Sequence, residues 1–273
     1  MTDSLLDAMS RSSETEASFS FYPRMSVQER KRRERNARRQ TILEAAASVF
    51  AKHGLDSATI EMVARAAEVA VGTIYLYFHS RDDLFLQLTA DRIEELVARY
   101  ATIQASALEP LIELRTMARA YIDYLNNSRE LFLIHQSVGY ARIRKRLKRK
   151  SEIEHYNHVL SLGHKAFDQW EAAVGRVYEI GLIPNVMDLP TTASVMWASL
   201  NGAFLLTGND NTFRELTGLN PDSFVERAFE FHLSAAQALA AHHIGNGNGA
   251  QAKARATKNR EAVQTHSAAT ANA

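Results

Sequence analysis

The sequence predicts an all-α protein, and three observations carry that expectation. Apolar residues recur at helical spacing through most of the chain, no run alternates apolar and polar beyond a few residues, and 273 residues include only 12 glycines and 5 prolines. A chain of this length allows one large domain or two modest ones.

Taken in order, residues 1 to 23 are rich in Ser, Thr and acidic groups without a period, as in a tail. RMSVQERKRRERNARRQ follows, with eight Arg or Lys against Glu29 and Glu34 between Arg24 and Arg39. Such a run suits a solvated helix end, a flexible tail, or an arm that follows a phosphate backbone. Residues 1–34 are therefore assigned to tail and basic arm.

Ile42, Ala46, Val49 and Phe50 form one apolar stripe on a helix from about Asn36 to His53, closed by Gly54 as a C-cap with Leu55 folding back on the last turn. Thr59 is an N-cap for a helix over 60–66, with Glu61 in the first turn where a carboxylate favours the dipole. Ala67–Val69 is a turn, and a third helix over about 70–78 follows. Ser80 caps a fourth, with Asp82 and Asp83 in its first turn and Leu84, Leu88 and Ile93 continuing the pattern. Helices then run to His243, broken at Pro110, at Asn126–Ser128, between Gly181 and Pro190, and between Gly208 and Pro221. The expected domains are thus 35–85 and 86–244, with a second tail at 245–273 that is low in large apolar residues.

Composition excludes several functions. The chain has no cysteine, so disulfides, thiolate catalysis and cysteine-based zinc sites are out. It also lacks a Gly-rich phosphate loop, HExxH and GxSxG, so no enzyme and no cofactor are expected. His155 and His158 can meet on one helical face but have no assigned partner, so no metal site is expected either. The opening residues do not read as a secretory signal, and the apolar stretch Val195–Leu206 is interrupted and too short to span a bilayer. A cytoplasmic protein without a membrane partner is the expectation. Net charge, at +1, does not speak for or against a polyanionic partner, so its distribution must decide.

The second helix, the short turn and the third helix form a helix-turn-helix, in which the second of the pair lies in a major groove. The segment RQTILEAAASVFAKHGLDSATIEMVARAAEVAVGTIYLYFHSRDDLF, Arg39 to Phe85, carries more specific marks. They are Ile-Leu-x-Ala-Ala-x-x-x-Phe in the first helix, the Gly54 cap, the Thr59 start, Ile60-x-x-Val63-Ala64, and Gly72-Thr73-Ile74-Tyr75-x-Tyr77-Phe78 before Ser80-Arg81. In these features the chain resembles the DNA-binding domain of the TetR (tetracycline-repressor-like) family of regulators.

The resemblance implies a three-helix DNA-binding domain on a helical domain that binds an effector and dimerises. By position it places Val69, Ala70, Val71, Gly72 and Thr73 at the start of the recognition helix. Thr59, Tyr75, Leu76, Tyr77 and Arg81 are placed towards bases or phosphates, and Ile74 and Phe78 in the core. Physical chemistry agrees for Ile74 and Phe78, four apart on one face. Thr73 suits a thymine edge, and Tyr75 offers a ring and a hydroxyl.

Departures from the family pattern matter. Glu68 stands where a turn glycine is frequent, and Ala70, Val71 and Leu76 stand where polar or basic residues are frequent. Between Ile42 and Phe85, Lys52, Arg65 and Arg81 face Glu44, Asp56, Glu61, Glu68, Asp82 and Asp83, a balance of −3. The arm upstream, with Arg32, Arg33, Arg35, Arg38 and Arg39, is therefore expected to supply much of the affinity, by entering a minor groove as homeodomain arms do. The implied partner is operator DNA, palindromic and bound by a homodimer, with repression released by a small molecule as the expected mechanism. An architectural, sequence-tolerant DNA binder is the rival reading.

In the larger domain, the family pattern makes helices over about 189–207 and 221–243 the dimer surface, with Val195, Ala198, Gly202 and Leu206 on one stripe and Phe224, Ala228, Phe231 and Ala235 on another. Tyr121, Tyr124, Phe132, His135, Phe167, Trp170, Trp197 and Asn201 are candidates to line a pocket for an unidentified lipophilic effector, with core packing as their alternative role. ARIRKRLKRK, residues 141–150, is a second basic cluster, read as a solvated helix face or a second DNA or acidic-ligand contact.

Overall fold

The computed structural model describes residues 26–138, 140–183, 187–208 and 210–245. The expected tails at 1–23 and after 245 lie outside them. The chain forms two compact units, Met1–Thr41 and Ile42–Ala273.

Residues 26–41 of the first unit are helical and exposed apart from Arg39, which is half-buried. Helix α1 (Val27–Ser57) starts nine residues before the expected Asn36. Its start is set by a reciprocal cap: Ser26 N–H donates to Glu29 Oε2 at 2.7 Å and Glu29 N–H donates to Ser26 Oγ at 3.1 Å. The pattern S-x-x-E is present in Ser26-Val27-Gln28-Glu29 and outweighs the charge crowding behind it. Part of the segment assigned to tail and arm is therefore helix, with Arg32, Arg35 and Arg39 along one face. A helix about 10–12 Å wide is broader than a B-DNA minor groove of about 6 Å, so any entry into that groove is by arginine side chains and not by the helix itself.

In the second unit, the rest of α1 ends its regular run at Gly54, whose φ of +71° is the positive-φ break expected there, and Leu55 is buried just beyond it. Then come α2 (Ile60–Ala66), capped by Thr59, and α3 (Val71–Tyr75), shorter than the expected 70–78. Ser80 caps α4 (Arg81–Ala105) through its Oγ, which accepts from Asp83 N–H at 3.1 Å.

After these come α5 (Pro110–Asn127), α6 (Arg129–Val138), α7 (Tyr140–Arg146), α8 (Lys150–Glu179), α9 (Leu189–Leu206), α10 (Asp210–Thr217) and α11 (Pro221–Gly245). Helix α10 occupies a stretch expected to be a break. No strand occurs among the described residues.

Two apolar clusters organise the unit. One joins the helix-turn-helix residues to Leu131 and Ile134 of α6, Ile143 of α7, Leu147 just after it, and Val159 and Leu162 of α8. The expected division at 85/86 therefore does not coincide with a gap in the core, because α4 begins in the small domain and ends in the large one. The other cluster fills the space among α4, α5, α8, α9 and α11 around Trp170 and Phe204. An Arg176–Glu113 pair ties α8 to α5, with Nε donating at 2.7 Å.

Candidate nucleic-acid interface

The recognition segment is held from beneath by two side chains. Ile74 and Phe78 are fully buried, as expected from their spacing, and Phe78 N–H closes a helical bond to Ile74 O at 3.0 Å although the regular helix has ended. Above them Tyr75 is 51% exposed and Leu76 is 73% exposed. Ala70 and Gly72 are exposed too, and Thr73 is partly so. These five present one surface of small, apolar and hydroxyl-bearing groups.

Several expected DNA-facing residues are used differently. Val69, Val71 and Tyr77 are half-buried against the domain core, and the Tyr77 ring lies 6.3 Å from that of Phe78. Arg81 turns inward: one guanidinium nitrogen donates to the backbone oxygens of Asp56 at 2.8 Å and Ala58 at 3.1 Å. It ties the end of α1 and the residue after it, Ala58, to the start of α4. That reassignment follows from two carbonyls more than twenty residues away in sequence, which no local pattern reveals.

Thr59 is exposed and its Oγ1 accepts from Met62 N–H at 3.3 Å. Glu68 adopts φ +54°, the left-handed conformation that glycine takes without penalty. The sequence departs from the family pattern at the one place in this turn where a side chain is strained.

The second basic cluster has a structural role beyond the two expected of it. Arg146 of α7 donates to Asp56 Oδ1 at 2.7 Å and lies 3.1 Å from Asp82, while Arg142 lies 3.8 Å from Asp56. Arg146 holds the Asp56 carboxyl below the usual carboxylate range; burial is the larger influence on Asp82 and raises it despite two arginines. Burial also opposes ionisation of Glu152, but the Ser80 hydroxyl and the Arg149 and Lys148 amides outweigh it and lower its pKa. From α8, His155 Nδ1 sits 2.6 Å from Asp83 Oδ1, and His158 Nε2 lies 2.9 Å from Glu94. Both histidines thus have carboxylate partners on α4. No group of three metal-binding side chains forms among the described residues.

Most of the expected effector residues pack in or against one core cluster. Trp170 is sealed in the core, its Nε1 donating to Ala193 O at 3.0 Å, and Phe132 packs edge-on against Phe204. These two are core residues because their rings are enclosed by neighbouring helices. Tyr121, Tyr124, Phe167, Trp197 and Asn201 are linked by hydrogen bonds and ring contacts in or beside the same cluster. Tyr121 Oη donates to Asn201 Oδ1 at 2.9 Å, Asn201 Nδ2 donates to Trp197 O at 2.7 Å, Tyr121 stacks on Tyr124, and Phe167 meets Trp197 edge-on.

Tyr100 of α4 is buried beside the two tyrosines and escapes sequence reasoning, since its spacing marks only an apolar helix face. Burial pushes the Tyr124 phenol up to about 12 and raises Tyr121 and Tyr100 further, so all three remain neutral hydrogen-bonding groups. The side chain of His135 lies outside the described residues.

Residues 42–88 match the family model of bacterial regulatory proteins, tetR family. The chain is 31% identical over 101 residues to the transcriptional repressor KstR2 of Mycobacterium tuberculosis, covering 37% of this chain and 50% of that repressor. The match thus spans about half the length of this curated relative. Among solved structures, the ketosteroid regulator KstR2 of M. tuberculosis superposes with a TM-score of 0.52 at 20% identity, covering 74% of this chain and 94% of that one. The regulator FadR of Bacillus subtilis, solved with stearoyl-CoA, gives a TM-score of 0.53 at 16% identity, over 71% of this chain and 97% of that one. No described helix is long and apolar enough to cross a membrane. The helix-turn-helix segment is thus similar to that of the tetR family of bacterial regulatory proteins, and the fold is the all-helical one of these solved regulators.

Proposed function

We propose that the protein is a transcriptional repressor that binds a palindromic operator as a homodimer and is released by a lipophilic small molecule. The observation that carries this reading is the helix-turn-helix itself, with Tyr75 and Leu76 raised to solvent on a segment pinned by Ile74 and Phe78. Residues 35–85 contact DNA, and 86–244 sense the effector and dimerise. Exposed apolar residues support the dimer: Val195, Leu205 and Leu206 on α9 with Phe231 and Leu239 on α11 lie on outward faces. Phe224 and Ala228, by contrast, pack inward and belong to the subunit's own core.

The lipophilic effector rests on the Tyr100, Tyr121, Tyr124, Trp197 and Asn201 cluster, apolar with a few hydrogen-bonding groups. Two relatives, one named for ketosteroids and one solved with stearoyl-CoA, point the same way. Effector binding favours a subunit arrangement whose two recognition segments no longer match operator spacing.

Genome-wide mapping of bound sites tests the reading. Recovery of a shared inverted repeat supports it, whereas even coverage without a motif favours a sequence-tolerant architectural protein. At the recovered site, Tyr75→Ala is expected to weaken binding by about 1–3 kcal/mol and to have less effect on random DNA. Equal losses on both, measured by fluorescence anisotropy, would remove Tyr75 from base recognition. Removing residues 1–35 is expected to weaken binding to all sequences and to flatten its dependence on salt, because six of the arm's eight basic residues go with it. An unchanged salt slope in the shortened chain would assign the affinity elsewhere.

A further inference from the structure

The elbow from α7 into α8 carries seven basic residues between Arg142 and Lys150, and the structure divides them into two sets. The inward set docks the elbow. Arg146 reaches Asp56 and Asp82, Arg142 lies near Asp56, and Ile143 and Leu147 are buried in the cluster that also holds Ile42, Phe50, Ile74 and Phe78. Glu152, one turn on, accepts from the Ser80 hydroxyl at the cap of α4. The elbow is therefore fixed to the helix-turn-helix at several points.

The outward set comprises Arg144, Lys145 and Lys148, all exposed and without an ion-pair partner among the described residues. Arg149 is exposed beside them, and Lys150 lies 3.8 Å from Glu154.

We propose that Arg144, Lys145 and Lys148 form a second contact with the DNA phosphate backbone, a proposal that rests on the DNA-binding reading above. Two observations place them for it. Asp56, the anchor of the elbow, lies three residues before Thr59, the cap of α2. In a helix-turn-helix the first helix of the pair crosses the backbone, so the elbow flanks the element nearest the phosphates.

The second observation is charge. Residues 42–85 carry a balance of −3, and adding the seven bases of 142–150 brings the docked assembly to +4. Arg142 and Arg146 offset Asp56 and Asp82, two of the carboxylates responsible for the deficit, and leave the outward three to face a polyanion. Long, flexible, uniformly cationic side chains suit phosphate oxygens and not base edges, so the contact is indifferent to sequence.

The test compares the full chain with its Arg144→Gln/Lys145→Gln/Lys148→Gln variant on a fluorescein-labelled random-sequence duplex, titrated between about 50 and 200 mM NaCl. The variant is expected to keep its melting temperature, to bind about tenfold more weakly at the low-salt end, and to lose salt dependence by about 0.9 in log–log slope per phosphate contact removed. A variant with wild-type affinity and slope overturns this inference alone and leaves the three residues as a solvated ridge. A wild-type chain that binds no duplex overturns the DNA-binding reading, and this inference with it.

Discussion

Phe78→Ala is expected to abolish operator binding by dissolving the support of the recognition segment. The ring is fully buried, as is Ile74, and α3 itself is only five residues long. So short a helix has little stability of its own and relies on packing. Truncating a buried Phe costs about 3–5 kcal/mol, against a total stability of about 5–15 kcal/mol for a typical domain. Urea denaturation should show that loss as a lower midpoint. Phe78→Leu, which keeps most of the apolar volume, should recover much of the stability and most of the binding. If Phe78→Ala bound its operator as the wild type does, the recognition segment would have to be held by something other than its two buried side chains.

The second large effect is expected at Asp83. Its carboxylate is fully buried and accepts from His79 N–H at 2.7 Å and from Gln87 Nε2 at 3.2 Å, with His155 Nδ1 at 2.6 Å. One side chain thus closes the cap of α4, and α8 is joined to it there. Asp83→Ala removes the acceptor and leaves the His79 N–H, in a part-buried bond, without its partner, which is destabilising. Because His155 is 37% exposed and water screens its share, the whole substitution is placed at about 2–3 kcal/mol. His155→Ala should cost much less, since the cap survives it. Equal melting temperatures for Asp83→Ala and His155→Ala would mean that the histidine contact, and not the cap, carries the stability.

What can be read in the sequence is local. Thr59 and Ser80 as caps, Gly54 as a positive-φ break, and Ile74 with Phe78 as the buried pair each follow from residues within one or two turns of each other. The start of α1 is equally local, in Ser26 and Glu29, but the charge run that follows masks it.

The illegible part is long-range. Arg81 is expected to reach phosphate and instead binds carbonyls at the end of α1 and just beyond it, and Arg146 finds its carboxylate in the last turn of α1, ninety residues earlier in the chain. Aromatic spacing alone does not show that Trp170 and Tyr121 share one core, nor that the first bonds Ala193 O and the second Asn201. A period says which face is apolar and not which neighbour covers it.

Asp56 has a genetic consequence. Three arginines, Arg81, Arg142 and Arg146, approach this one carboxylate from two separate elements. Loss of one arginine leaves two beside the carboxylate, so at Asp56 itself single substitutions are expected to be buffered and their combined loss to exceed the sum of single losses. The carboxylate has no such reserve. Drift is therefore tolerated on the cationic side of this junction and restricted on the anionic side, an asymmetry that a survey of single arginine variants would pass over.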